Sequence, residues 1–221
     1  MNEENEMYYA IHTPDLARAK AFYTEVFGWT YRSDDHIEGS SPAGGLGAGP
    51  PGIDLYFEVP DIRAAVAKLR ELGGVAPDPV QAKSGWSCLA EGGDLGLWQP
   101  ADGYAEADPK CAEGDLFYYV VPVADDEAKA RYAAALGWEL SPGSHSNGWN
   151  IEDSAPPGGV FVDHAGAPDL YFRVGDVEEV AERIRKAGGT AGEKQPNSAG
   201  WHAACSDDQG VRFSIGSLRQ S

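Results

Sequence analysis

The sequence predicts an α+β chain of four βαβββ units arranged as two tandem domains, and three observations carry that prediction. The chain repeats itself, its strand-like runs outnumber its helix-like runs, and the two kinds do not alternate one for one. The last point disfavours a doubly wound parallel sheet, where a helix follows every strand. A length of 221 residues suits two domains of ordinary size.

The repeat is visible residue by residue. Ile53-Asp54-Leu55-Tyr56-Phe57-Glu58-Val59 returns as Pro168-Asp169-Leu170-Tyr171-Phe172-Arg173-Val174. At the same offset Gly73-Gly74 returns as Gly188-Gly189, and Ser84-Gly85-Trp86 as Ala199-Gly200-Trp201. Earlier, Lys20-Ala21-Phe22-Tyr23 matches Lys129-Ala130-Arg131-Tyr132, and Gly28-Trp29 matches Gly137-Trp138. The offset grows between these blocks, and the added length falls in the Gly/Ser/Asn-rich stretch Pro142–Trp149, a loop insertion. The predicted domains are residues 1–103 and 115–221, joined by a linker at 104–114.

Met7–Thr13 is short and apolar-aromatic and reads as a strand. Thr13-Pro14-Asp15 predicts a helix start with proline in the first turn. Leu16, Ala19, Phe22, Tyr23 and Val26 follow at helical spacing, and Gly28 stops the helix. Trp29–Gly49 holds short extended runs broken by Gly and Pro. Ile53–Val59 opens the second unit as a strand, and Asp61 caps a helix whose buried stripe is Ile62, Ala65, Val66, Leu69 and Leu72. Extended runs at Val75–Gln81, Trp86–Ala90 and Leu95–Gln99 close the half. The second half has matching helices at Asp125–Leu136 and Asp176–Ala187.

A formal charge of −18 argues against nucleic acid, whose binding rests on Lys and Arg displacing counterions, and against an anionic membrane surface. No apolar run has the length of a signal peptide or a membrane span. Cys88, Cys111 and Cys205 form no C-x-x-C pair and are too few for a disulfide framework. A reduced, cytoplasmic protein is the expectation. No G-K-[ST] occurs, and the G-x-G-x-x-G spacing of Gly47-Ala-Gly-Pro-Pro-Gly52 runs into the strand-like Ile53–Val59 rather than opening a helix, so it makes no phosphate cradle and no nucleotide cofactor is expected.

The block Asp15-Leu-Ala-Arg-Ala-Lys-Ala-Phe-Tyr-Thr-Glu-Val-Phe-Gly-Trp29 resembles the first helix of vicinal-oxygen-chelate proteins, the glyoxalase/bleomycin-resistance/dioxygenase superfamily. The strand Leu55–Val59 before Asp61 and the terminal strand Gly96-Leu97-Trp98-Gln99-Pro100 are similar to that family too, and the likeness recurs in both halves. The resemblance implies two glyoxalase-like incomplete barrels, each curled from two βαβββ units around a cavity. It leaves function open among metal-using enzymes and proteins that only sequester drugs.

Metal-using members place His, Gln or Glu at strand positions facing the cavity. Here those positions fall on Tyr8 and Phe117, on Asp54 and Asp169, and on Gly96 and Ser214. Gly44–Ala48 offers no ligand, and Gly158–Asp163 offers only Asp163. One carboxylate per half does not hold a catalytic metal, so no metal and no cofactor are expected. The trio Asp163, His164 and Asp169 is the one alternative.

In the register that the resemblance implies, strand alternation sends Tyr8, Ala10 and His12, then Asp54, Tyr56 and Glu58, then Gly96 and Trp98 to the first cavity. The second receives Phe117, Tyr119 and Val121, then Asp169, Tyr171 and Arg173, then Arg212, Ser214 and Gly216. Trp86 and Trp201 stand at the cavity mouths or plug the barrel ends. Asp169, His202 and Arg173 are the candidate catalytic groups, His202 because imidazole titrates near neutrality. Aromatic walls with a few polar groups are the make-up of a small-molecule pocket.

Three functions remain. The first is metal-independent binding of a planar or aromatic drug or secondary metabolite, as in antibiotic resistance by sequestration. The second is a metal-independent cyclase or isomerase working by acid–base chemistry. The third is an interaction module with vestigial cavities. Domain pairing within one chain makes a monomer sufficient, with a homodimer as the alternative.

Overall fold

The computed structural model describes residues 7–82, 84–90, 95–101, 113–163, 166–197 and 199–219. The first repeat runs β1 (Met7–Thr13), α1 (Leu16–Phe27) and β2 (Gly44–Ala48), with only isolated bridges, Tyr31 to Ile37 and His36 to Gly45, in place of middle strands. The second is β3 (Gly52–Glu58), α2 (Ile62–Glu71), β4 (Val80–Ala82), β5 (Gly85–Leu89) and β6 (Leu95–Pro100). The third is β7 (Leu116–Val123), α3 (Asp126–Leu136), β8 (Leu140–Pro142), β9 (Gly148–Ile151) and β10 (Gly158–Val162). The fourth is β11 (Asp169–Arg173), α4 (Val177–Lys186), β12 (Thr190–Ala191), β13 (Gln195–Pro196), β14 (Gly200–Ser206) and β15 (Arg212–Leu218). The architecture is therefore α+β, four βαβββ repeats with helices too sparse for a doubly wound sheet.

The four helices among the described residues start the same way. Asp15, Asp61, Asp125 and Asp176 each sit in extended backbone and accept from amides of the first turn. This satisfies donors that the helix itself leaves orphaned. At α1 the cap is Asp15 and not Thr13, so Pro14 stands before the helix rather than in its first turn. Gly28 and Gly137 end α1 and α3 at φ of 73° and 71°, a left-handed conformation that side chains resist. Val75–Gln81 is not a strand along its length: pairing begins only at Val80. Pro77 and Pro79 lack amide donors, and Arg70 takes the Ala76 carbonyl at 2.8 Å, so the ladder cannot form there.

Hydrogen bonding orders the first sheet β2-β1-β3-β6-β5-β4 and the second β12-β14-β15-β11-β7-β10-β9-β8, with β13 on β14. Each sheet draws on one half of the sequence, yet the compact bodies do not. One body is Met1–Tyr9, Asp54–Glu106 and Tyr119–Pro168; the other is Ala10–Ile53, Ala107–Tyr118 and Asp169–Ser221.

The second body has an aromatic core drawn from the first and fourth repeats. Tyr23 stacks on Trp29 at 5.1 Å, Phe27 and Trp29 each meet Phe172 at 5.3 Å, and Phe213 closes on Phe172 at 5.9 Å. Trp29 also donates through Nε1 to the Gly114 carbonyl at 3.2 Å. The first body is centred on Phe57, whose ring meets Tyr119 at 5.6 Å and Trp138 at 4.9 Å. Among the described residues no helix is long and apolar enough to cross a membrane.

Candidate functional site

Alternation along β3 and β11 divides each strand between core and open face. Leu55, Phe57, Leu170 and Phe172 are buried, whereas Asp54, Tyr56, Glu58, Asp169, Tyr171 and Arg173 are half-buried. Tyr8, Ala10 and His12 on β1 likewise alternate with buried Tyr9 and Ile11. The His12 ring lies over Gly47, its Nδ1 in the space a side chain there would need.

On the first sheet Tyr8 and Tyr56 approach with ring centroids 6.3 Å apart. The Tyr56 ring stands directly over Gly96, its partner in the β3–β6 register, and fills the place of a side chain at 96. Burial beside Asp54 pushes the Tyr56 phenol up to about 12. Trp98 pairs with Glu58 in the same register and is buried.

The second sheet brings its polar groups together across adjacent strands. Tyr171 on β11 is in register with Ser214 on β15, and Gly216 lies opposite His202 on β14. Ser214 Oγ donates to Asp169 Oδ2 at 3.2 Å. Burial raises the Asp169 carboxyl, opposed in part by the Tyr171 and Ser214 hydroxyls and by the charges of His202 and Arg212. Burial and the adjacent Asp169 push the Tyr171 phenol well above its usual range, so it stays a neutral donor. The Tyr171 ring meets Tyr118 at 5.7 Å, His202 at 6.2 Å and Phe117 at 6.4 Å. The Phe117 ring in turn covers Gly216. His202 Nδ1 is buried with no hydrogen-bond partner among the described residues. The result is an aromatic shelf over four neighbouring strands, with a carboxylate and an imidazole set into it.

Several expected positions move. Tyr119 is not on this face: it is fully buried against Phe57 and Trp138, and Val121 is buried with it. Alternation breaks at Phe117–Tyr118, both half-buried, so the count carried forward from Phe117 slips by one residue. Tyr118 stands as far before the cap Asp125 as Tyr8 stands before Asp15, and that spacing was the signal available in the sequence.

Trp86 and Trp201 also leave the open face. Trp86 pairs with Gln99 while Ser87 pairs with Trp98, which puts Ser87 on the open face and Trp86 on the helix side. There the Arg63 guanidinium lies 4.9 Å from its ring. Trp201 likewise has the parity of buried Ala203 and Cys205, is 41% exposed, and carries Lys194 over its ring at 5.1 Å. Neither tryptophan plugs a barrel.

These groups do not fit a divalent metal. At the expected positions stand a phenol, a carboxylate and a glycine covered by the Tyr56 ring. In the second sheet Ser214 stands where a carboxylate ligand would be needed and instead bonds Asp169. Among the described residues no group of three or more His, Cys, Asp and Glu is arranged to hold an ion. His164, of the alternative trio, lies outside the described residues, as does Cys111. Cys88 and Cys205 are free and buried, and burial raises both thiols, Cys205 to about 12.

Comparison with known proteins agrees with the fold. The profile of the Glyoxalase/Bleomycin resistance protein/Dioxygenase superfamily matches residues 7–215. CFP32 of Mycobacterium bovis and of Mycobacterium tuberculosis, provisionally named a glyoxylase, is 27% identical over 93% of this chain and 91% of its own. The 2,3-dioxygenase LapB of Pseudomonas sp. KL28 superposes with a TM-score of 0.68 at 14% identity, over 96% of this chain and 91% of LapB. The Mn(II)-bound glyoxalase of Novosphingobium aromaticivorans gives 0.65 at 14% identity, over 98% and 82%. With a profile match running from the first strand to the last, and the paired βαβββ repeats to go with it, this chain belongs to the glyoxalase/bleomycin resistance protein/dioxygenase superfamily.

Proposed function

We propose that the chain binds an organic small molecule with a planar aromatic part, without a metal, on the open face of the second sheet. The observation that carries this reading is the shelf of Phe117, Tyr118 and Tyr171 beside the Asp169–Ser214 pair and the His202 imidazole. Aromatic faces give flat ligands a large contact, and the few fixed polar groups orient them. Sequestration of a drug or secondary metabolite, as in resistance to bleomycin-type compounds, is the biological form of this activity. The protein acts as a monomer or a homodimer in a reducing compartment.

A second reading, a metal-independent enzyme of small-molecule metabolism, is favoured by Asp169. A carboxyl raised by burial and set beside an imidazole is suited to moving protons. In that case Asp169 and His202 exchange protons with the ligand while Arg173 holds it.

A thermal-shift screen of planar aromatic compounds, with and without EDTA, tests both. A ligand at a hundred times its Kd adds about 2.7 kcal/mol to the folded state. Stabilisation unaffected by EDTA, with the ligand recovered unchanged, is the result expected for sequestration. Recovery of a converted compound moves the assignment to the enzyme. Stability lost in EDTA and restored by a divalent metal overturns the metal-free reading.

A further inference from the structure

The two sheets keep the same core face and differ on the open one. Leu55 and Phe57 are matched by Leu170 and Phe172, all buried. On the open face, by contrast, Glu58 is replaced by Arg173, Ser87 by His202, and Trp98 by Gly216. The charge of the face changes with them. β3 offers two carboxylates, Asp54 and Glu58, whereas Asp169 on β11 is accompanied by Arg173, with Arg212 and His202 acting on it. The filling changes as well: buried Trp98 occupies the first face, whereas at Gly216 of the second the Phe117 ring takes the place of a side chain.

β11 also gives the second face a direction. Asp169 and Arg173 lie on either side of Tyr171, two residues away each, so their backbone positions are about 13 Å apart along the strand. Backbone bonds hold the Arg173 end: its amide donates to the Asp115 carbonyl at 2.8 Å, and its carbonyl accepts from Gly114 at 2.7 Å. His202 Nδ1, beside the same ring, is buried and has no hydrogen-bond partner among the described residues.

We propose that the second face selects a flat aryl carboxylate bearing a hydroxyl at its far end, and that the first face excludes it. The ring lies on Tyr171 and Phe117, the carboxylate is directed to Arg173, and the hydroxyl donates to Asp169. His202 supplies a further hydrogen bond. The duplicated fold thus binds one such ligand per chain. This rests on the metal-free binding reading and adds to it a chemical class and an orientation.

Isothermal titration of the full chain with 6-hydroxy-2-naphthoate, 2-naphthoate and 2-naphthylmethylamine tests it. The hydroxynaphthoate binds with a stoichiometry of one. Losing the hydroxyl weakens binding about tenfold, and exchanging carboxylate for ammonium weakens it further, each tenfold step matching one hydrogen bond to a charged group. Arg173→Met and Arg173→Glu weaken the hydroxynaphthoate at least about tenfold, and Arg173→Glu reverses the preference between acid and amine. The Met variant, which keeps the stem of the side chain, guards against misfolding of the charge reversal. Equal affinity for acid and amine, a stoichiometry of two, or no effect of Arg173→Met overturns the proposal. If other planar aromatics stabilise the protein while these acids do not bind, the charge assignment fails and the binding reading stands. If no planar aromatic binds, both fail.

Discussion

Arg183 of α4 donates through Nη1 to the main-chain carbonyl of Val26, in the last turn of α1, at 2.9 Å. In the other body Arg131 of α3 does the same to Leu72 at the end of α2, through Nε at 3.1 Å. The closing carbonyls of a helix have no partner within it and carry the negative end of its dipole, so an arginine suits both. Each is thus a helix C-cap supplied by a repeat from the other half of the sequence.

Arg183→Met is therefore expected to lower stability by about 1–2 kcal/mol, the scale of one charge-assisted hydrogen bond. For a chain of this size that is a fall in Tm of about 2–8 °C. Arg131→Met should act alike, and because the two contacts share no partner the double variant should lose the sum. Unchanged melting in both single variants would show that neither contact contributes.

Residues 1–103 alone should not fold to a native state. Tyr23, Phe27 and Trp29 complete their packing only against Phe172 and Phe213, which such a fragment lacks. The expected product has helical content but poorly dispersed amide resonances, with order recovered on adding residues 104–221. A well-dispersed spectrum from the first half by itself would refute this.

Asp169 makes stability depend on pH in a defined direction. Its folded value is raised by burial, so the folded state holds the proton longer than the unfolded one. Its unfavourable contribution is absent below the ordinary carboxylate range. It grows as pH rises from there to the raised folded value, because the unfolded chain binds fewer protons in that window. Asp169→Asn keeps an acceptor for Ser214 and removes the charge. Its Tm relative to the wild type should climb across that window and level off above it; a flat difference from acid to neutral pH would contradict the burial argument.

Gly96→Ala should cost about 1–3 kcal/mol, because the Tyr56 ring already fills the space a side chain at 96 would enter. Adding Tyr56→Ala should cost less than it does alone, giving a coupling detectable by chemical denaturation. Strict additivity would mean that the ring is not held against Gly96.

Where a strand alternates cleanly the sequence could be read to the residue. β1 has the predicted bounds, and the sides of Asp54, Tyr56, Asp169 and Tyr171 follow from the pattern of apolar neighbours. Tyr119 lies off the expected face because two adjacent aromatics, Phe117 and Tyr118, interrupt the alternation, and hydrophobicity does not say which of them keeps the register. The ring chemistry of Trp86 and Trp201 suits the open face, while the backbone register sends them to the helices. Periodicity names the buried face of a helix but not its partner. Nothing local in α1 announces that it packs with residues of the fourth repeat.

The interleaving of the bodies has a consequence for synthesis on the ribosome. Every segment of the first body has been made once Pro168 has emerged, so that body can close early. The aromatic side of α1, made near the beginning, must wait uncovered until Phe172 and then Phe213 arrive. A nascent chain thus carries a greasy helix through most of its elongation, the stretch in which chaperone capture or aggregation competes with folding.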